Sequence, residues 1–188
     1  ELEHELGVDF EMEITGGLMV AENSDQVAFL EAKAKAEAKV GIQNEVIDAA
    51  QVRNIMPAIS PEVVAAAWCP GEGKINPLVA TRRLARAARA TGARIEEFTP
   101  VSSIAQEGAD YVVKTPRGQV TSKRVLIAAG GWSGQIARML GTKLPIRGAP
   151  LQMVVTAPGP KVIPGLLAHA DRHVTMKQTA SGSVIIGG

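Results

Sequence analysis

Five consecutive apolar residues, Val125–Ala129, run directly into Gly130 and Gly131, and a helical pattern starts at once and continues to Gly141. An unbroken apolar run closed by turn residues is the pattern of a strand buried on both faces, as in a parallel sheet. A glycine turn leading into a helix leaves bare backbone N–H groups, which favour a bound anion or cofactor. The segment therefore predicts a cofactor-binding α/β unit. It is not a phosphate loop by itself, because Gly130, Gly131 and Gly134 match neither G-x-G-x-x-G nor G-x-x-x-x-G-K-[ST]. A plainer alternative stays open: any sharp strand-to-helix connection needs small residues, and Ser133 is then an ordinary N-cap.

Upstream, Gly17–Ala21 reads as a strand. Ser24–Val40 reads as a helix, with Val27, Leu30, Ala34 and Ala38 at helical spacing. Asn23 and Gln26 have the capping-box spacing, and Gly41 is the expected stop. Glu45–Ile47 is a short apolar segment, and Asp48 with Gln51 then repeats the box before a short helix that Pro57 ends. Val63–Cys69 is expected to be extended. After the loop Pro70–Pro77, Asn76 is placed to cap and Pro77 to occupy the first position of a helix closed by Gly92. Leu78, Leu84, Ala85 and Ala88 predict its buried stripe. Arg82, Arg83, Arg86 and Arg89 predict a solvated face rather than an anion patch.

Arg94–Phe98 and Val101–Ala105 read as β segments. Asp110–Thr115 and Gln119–Lys123 flank the turn Pro116–Gly118, so a hairpin is expected. Leu151–Thr156 is strand-like, three prolines between 158 and 164 mark a loop, and His173–Met176 with Ser183–Ile186 predict a last strand pair. The C-terminal Val184–Gly188 is expected to leave an exposed strand edge. A chain that starts at Glu1 without Met and stops in a strand is expected to be a piece of a longer protein.

Composition removes several function classes. The net charge of +1 with scattered basic residues argues against nucleic-acid or membrane-surface binding, and 3% aromatics against a base-stacking surface. No apolar run approaches the ~20 residues of a membrane-spanning helix. The single cysteine, Cys69, forms no intramolecular disulfide and fits a reducing, cytoplasmic setting. At the end of an apolar run it reads as a small core residue before a nucleophile. His4, His169 and His173 have no metal-ligand spacing, so no metal is expected. There is no G-x-S-x-G elbow.

Three blocks carry a resemblance. Gly71-Glu-Gly-Lys-Ile-Asn-Pro-Leu-Val79 runs into a helix and on to Gly92-Ala-Arg-Ile95 and Val101. Val125-Leu-Ile-Ala-Ala-Gly-Gly-Trp-Ser133 is similar to V-V-x-A-A-G-A-W-S. Leu144-Pro-Ile-Arg-Gly148 leads through His173 to Val184-Ile-Ile-Gly-Gly188. In this order and spacing they resemble the FAD-dependent amine oxidoreductases of the D-amino-acid oxidase, glycine oxidase and sarcosine oxidase β-subunit type. The resemblance implies an α/β to α+β fold in which a partial, Rossmann-like FAD-binding segment is combined with an antiparallel-sheet substrate domain. It implies substrate-domain parts at 1–75 and 148–188 around an FAD-domain segment at 76–147. The G-x-G-x-x-G unit that opens such enzymes is missing from this sequence.

By the same resemblance, FAD is contacted by Val101 through its backbone and by Ala129, Gly130, Gly131 and Trp132, where small residues let the backbone approach. Val101 as a plain core valine, and Trp132 as packing for a strand–helix corner, remain alternatives. His173 falls near an aromatic that lines the substrate face in relatives. Lys177 falls near their Pro-Arg pair, where a cation meets a substrate carboxylate. The Pro-Arg itself is absent, and an exposed hairpin lysine is the other reading of Lys177. No catalytic residue is assigned.

The implied reaction oxidises the C–N bond of sarcosine, glycine, a D-amino acid or an opine by hydride transfer to FAD, giving an imine that hydrolyses. The implied partners are the remainder of the chain, a small amine or amino-acid substrate and other oxidase subunits. The isolated chain is expected neither to hold FAD tightly nor to turn over. The alternatives are a non-catalytic interaction or ligand-binding module sharing the fold and, behind it, a nicotinamide-dependent dehydrogenase.

Overall fold

The computed structural model describes residues 2–188 of the chain. These form two units. One joins Glu1–Ala90 to Leu151–Gly188, and the other is Thr91–Pro150.

The first unit is built on a seven-stranded mixed sheet. In chain order its elements are α1 (Leu2–Leu6), β1 (Glu13–Ile14), β2 (Gly17–Ala21), α2 (Ser24–Ala38), β3 (Glu45–Asp48), α3 (Ala49–Ile55), β4 (Ala65–Cys69), β5 (Gly73–Lys74) and α4 (Pro77–Ala90). After the second unit come β9 (Met153–Val155), β10 (Leu166–His169), β11 (Thr175–Gln178) and β12 (Val184–Gly187). The sheet order is β3-β4-β2-β10-β11-β12-β9, and β1 pairs separately with β5. Among these strands only β2 and β10 run parallel, with Leu166 opposite Gly17 and His169 opposite Val20.

Alternation along the strands decides the two faces. Leu18, Val20, Ile47 and Ala66 point one way and pack with Val52, Met56, Val63 and Ile163. Ala21 and Ala67 point the other way and pack with Leu30 of α2. Local signals place the helices. Asn23 caps α2 by accepting from Gln26 N, while the Gln26 side chain accepts from Glu22 N, one residue earlier than a regular box requires. Gly41 sits at φ +82° and closes a Schellman stop, with Gly41 N on Ala38 O and Ile42 N on Glu37 O. Asp48 and Gln51 make a full capping box on α3.

The second unit holds a three-stranded antiparallel sheet of β6 (Ser103–Glu107), β7 (Asp110–Thr115) and β8 (Gly118–Ser122). A 3-10 turn at Gly130–Trp132 leads into α5 (Ser133–Arg138).

Several expectations need correction. Val125–Ala129 pairs with no strand among the described residues, and Leu126 is 90% exposed. Its apolar run has the composition of a central strand without the neighbours that would bury it. Arg94–Phe98 is not a strand either: Phe98 sits at φ +54°, outside extended backbone, and nothing pairs with it. Ser133 is buried within the helix, and no side chain caps α5. The stripe on α4 is not buried: Leu78 and Leu84 are exposed, and Ala80 is the buried residue of that helix. The C-terminal strand β12 is no sheet edge, since β9 lies beyond it. The edges are β3 and β9. A further strand, β10, occupies residues just past the proline loop that sequence left unassigned.

Candidate functional site

All five cofactor candidates lie in the unit Thr91–Pro150, and both substrate candidates lie in the other. Val101 is half-buried and just precedes β6, where Ser102 N donates to Lys114 O. Ala129 is half-buried and ends the apolar run, and its carbonyl accepts from Trp132 N. Gly130 turns the chain at φ +51° with open space where a Cβ would stand. At Gly131 a Cβ would lie 2.9 Å from Gly148 Cα, so the second and third sequence blocks meet here backbone to backbone. Gly134 is similarly close to the carbonyls of Leu144 and Ile146. Gly131, Trp132, Gln135, Gly148, Ala149 and Pro150 line a cavity of about 550 Å³, and Trp132 stands 69% exposed.

In the other unit, a cavity of about 310 Å³ brings Lys177 together with Lys74, Asn76 and Pro77 of the first sequence block. Alternation on β11 sends Lys177 to the face opposite Gln178. Lys177 is half-buried, and its side chain has neither ion-pair nor hydrogen-bond partner among the described residues. Lys74 is committed: its Nζ lies 3.1 Å from Glu13 Oε2 and donates to Gln178 O at 3.1 Å. Asn76 caps α4 by accepting from Leu78 N and Val79 N, and its amide donates to Glu11 Oε2 at 2.7 Å.

Gln178, 2% exposed, holds the wall of this cavity. Its Oε1 accepts from Val162 N and Ile163 N, and its Nε2 donates to Pro160 O and Gly182 O. One side chain therefore ties the proline loop to the turn between β11 and β12. Sequence reasoning passed over Gln178. Its signal was an inward position beside Met176 in an alternating strand.

His173 is exposed and does not line the cavity that Lys177 lines. The turn carrying it is fastened by His169, whose Nδ1 accepts from Asp171 N and Arg172 N at 3.0 Å. Both terminal guanidinium nitrogens of Arg172 donate to Glu22, and His169 Nε2 lies 3.5 Å from the same carboxylate. Cys69 is a half-buried free thiol on a separate cavity of about 350 Å³. Among the described residues no cluster of His, Cys, Asp and Glu is placed to hold a metal ion, and no helix is long and apolar enough to cross a membrane.

Residues 1–188 match the DAO family of FAD dependent oxidoreductases along their whole length. The chain belongs to this family. It is 30% identical over 145 residues to an opine oxidase chain of Agrobacterium tumefaciens (strain Ach5), covering 77% of this chain and 38% of that one. It is 28% identical over 153 residues to the mitochondrial sarcosine dehydrogenase of Homo sapiens, covering 78% of this chain and 17% of that one. The L-proline dehydrogenase structure from P. horikoshii superposes with a TM-score of 0.88 at 30% identity, over 99% of this chain and 50% of that one. Glycine oxidase from Geobacillus kaustophilus shares the fold, with a TM-score of 0.88 at 19% identity over 98% of this chain and 51% of that one. The chain thus spans about half the length of these solved structures and less of the curated relatives. The mixed sheet and the separate antiparallel sheet are those of an FAD-dependent oxidoreductase fold.

The residues of the glycine turn fit the family's cofactor. Gly130 leaves room for a group to reach the backbone, and Trp132 offers an exposed flat wall beside the 550 Å³ cavity. The fit lies in small residues and an aromatic face rather than in a helix dipole, because α5 has only six residues.

Proposed function

We propose that the chain is part of a larger FAD-dependent oxidoreductase that oxidises the C–N bond of an amino acid or secondary amine, of the sarcosine, glycine, proline or opine type. The observation that carries this is Lys177, an unpaired ammonium on a cavity of small-molecule size. An ammonium without a protein partner beside a cavity is a ready site for a substrate carboxylate.

The middle of the chain, 76–147, serves as the FAD-domain segment between substrate-domain parts 1–75 and 148–188. The five cofactor candidates all fall in the unit Thr91–Pro150, which supports a cofactor role for residues 91–147, while α4 groups with the other unit. FAD supplies the two-electron acceptor when bound. Gly130 keeps its path to the backbone free of a side chain, Gly131 lets the turn close on Gly148, Trp132 and Ala129 wall that path, and Val101 offers main-chain polar groups. Lys177 orients the substrate by its carboxylate, leaving the amine-bearing carbon free to react. His173 stands in the same hairpin as a weaker candidate for the substrate face. A cytoplasmic setting, with the remainder of the chain and further oxidase subunits as partners, completes the reading.

The test is kinetic. In the FAD-loaded full-length enzyme, Lys177→Met raises KM for sarcosine or proline about tenfold or more, as loss of a charged hydrogen bond requires. It changes kcat much less, and Lys177→Arg restores most of the loss. An unchanged KM in the methionine variant removes Lys177 from the substrate site. For the isolated chain, FAD titration is expected to give no tight complex. A stoichiometric yellow complex of micromolar affinity would overturn that.

A further inference from the structure

The Lys177 side chain has no partner to steer it among the described residues, so the place of its ammonium is set by the backbone that carries it. That backbone is held unevenly. Among the described residues β11 pairs with β10 at Thr175 and Met176, opposite Ala168 and Leu167. At Lys177 and Gln178 the ladder continues on β12, opposite Ile185 and Val184. Where the strand carries the ammonium, main-chain pairing therefore fastens it on one side.

Gln178 supplies the other fastening. Its side chain points to the opposite face from Lys177 and is buried. Its Oε1 accepts from Val162 N at 2.8 Å and Ile163 N at 3.1 Å, and its Nε2 donates to Pro160 O and Gly182 O at 2.8 Å each. A glutamine amide has two acceptor and two donor positions, so all are filled. The partners also decide which way round the amide stands, because those on one side are N–H groups and those on the other are carbonyls. The main-chain carbonyl of Gln178 is held separately by Lys74 Nζ at 3.1 Å, and Glu13 pins Lys74 at 3.1 Å. The residue beside Lys177 is thus clamped through side chain and main chain at once.

We infer that Gln178 is a positioning residue for the substrate, acting through Lys177: its amide holds the end of β11 where the ammonium meets the ligand. The inference rests on the reading that Lys177 contacts the substrate, and it adds what sets the place of that contact. The Gln178 amide does not itself bind the ligand, since its bonding positions are already filled. Without that amide the end of β11 keeps β12 but loses the proline loop, and Lys177 shifts with it. A displacement of ~1 Å is enough to weaken an oriented contact several-fold.

The experiment is a double-mutant cycle on KM in the FAD-loaded full-length enzyme, with sarcosine or proline as substrate. Its members are wild type, Gln178→Met, Lys177→Met and the double variant. Gln178→Met should raise KM about threefold or more and change kcat much less. In the Lys177→Met background the same substitution should leave KM unchanged, because the group it positions is gone. A glutamine with a merely structural role gives the same effect in both backgrounds. Gln178→Met strips a partner from Val162 N, Ile163 N, Pro160 O and Gly182 O, so it should melt lower. Thermal melts and flavin content of each member confine the comparison to folded, loaded enzyme. If Gln178→Met does not load, Gln178→Asn takes its place. It keeps a neutral amide, one methylene too short to span loop and turn, and the same coupling is expected. If substitution of Gln178 raises KM equally with and without Lys177, or leaves KM at the wild-type value while Lys177→Met raises it, the positioning role is wrong and the Lys177 reading stands. If Lys177→Met leaves KM unchanged, the substrate reading falls and this inference with it.

Discussion

At the scale of single residues, buried polar groups do two different jobs in this chain. Gln178 spends its whole hydrogen-bonding capacity on structure, while Lys177, its neighbour in sequence, spends none of its own. Strand alternation produces the contrast, sending one side chain inward and the other to the cavity. A surface counterpart is the Lys33–Glu37–Asn44 cluster, where the Lys33 ammonium and then the Asn44 amide hold the Glu37 carboxyl below the usual carboxylate range. The sign follows from linkage. A carboxyl whose folded value is depressed stabilises the fold above its unfolded value and loses that contribution as pH falls through the folded one. Glu37→Gln should therefore cost about 0.5–1 kcal/mol at pH 7, typical of an i,i+4 pair with one added hydrogen bond. The gap between variant and wild type should narrow from about pH 4 downward. Denaturant melts across that range measure it, and a gap independent of pH would place the stabilisation elsewhere.

At the scale of elements, Gly131 separates a turn that tolerates any small residue from one that needs glycine. Its missing Cβ allows contact with Gly148, backbone against backbone, and neither side has a flexible side chain to yield. Gly131→Ala should destabilise the unit Thr91–Pro150 by about 1–3 kcal/mol, the usual cost of overpacking. Gly71→Ala, with open space around it, should cost far less. Circular dichroism melts of the two variants decide, and equal stabilities would mean that the 130s turn relaxes freely. The sequence could not announce this contact, because Gly131 and Gly148 are distant in the chain and each alone reads as ordinary turn chemistry. Elements specified by adjacent residues were legible: the Asn23 and Asp48 caps, the Gly41 stop and the β7–β8 hairpin. Elements that depend on neighbours were not. Val125–Ala129 has the composition of a buried strand and no partner, and the α4 stripe has the pattern of a core face without cover. Of the proposed substrate site, Lys177 was visible only through the family resemblance.

At the scale of the whole molecule, the two units differ in how much core each owns. Both hydrophobic clusters, from Leu18 through Ile163 and around Leu30, belong to the unit built on the seven-stranded sheet. In Thr91–Pro150 the buried apolar side chains are Ile104, Val112 and Ala137. The same unit leaves Phe98, Leu126 and Trp132 between 69% and 94% exposed. Burial of apolar surface is the main favourable term in folding, and a small core leaves little to set against chain entropy. The unit carrying the cofactor candidates should therefore open at lower free energy than the one carrying Lys177. Native-state hydrogen exchange tests this directly. Amides of β6–β8 should exchange through openings at least about 2 kcal/mol cheaper than those of β2, β4 and β10. Uniform protection across both sheets would mean that the chain unfolds as one cooperative body. If the difference is found, FAD binding to the full-length enzyme should slow exchange in Thr91–Pro150 first, because a ligand stabilises most the unit it touches. Slowing confined to the seven-stranded sheet would remove Gly130, Gly131 and Trp132 from the cofactor site.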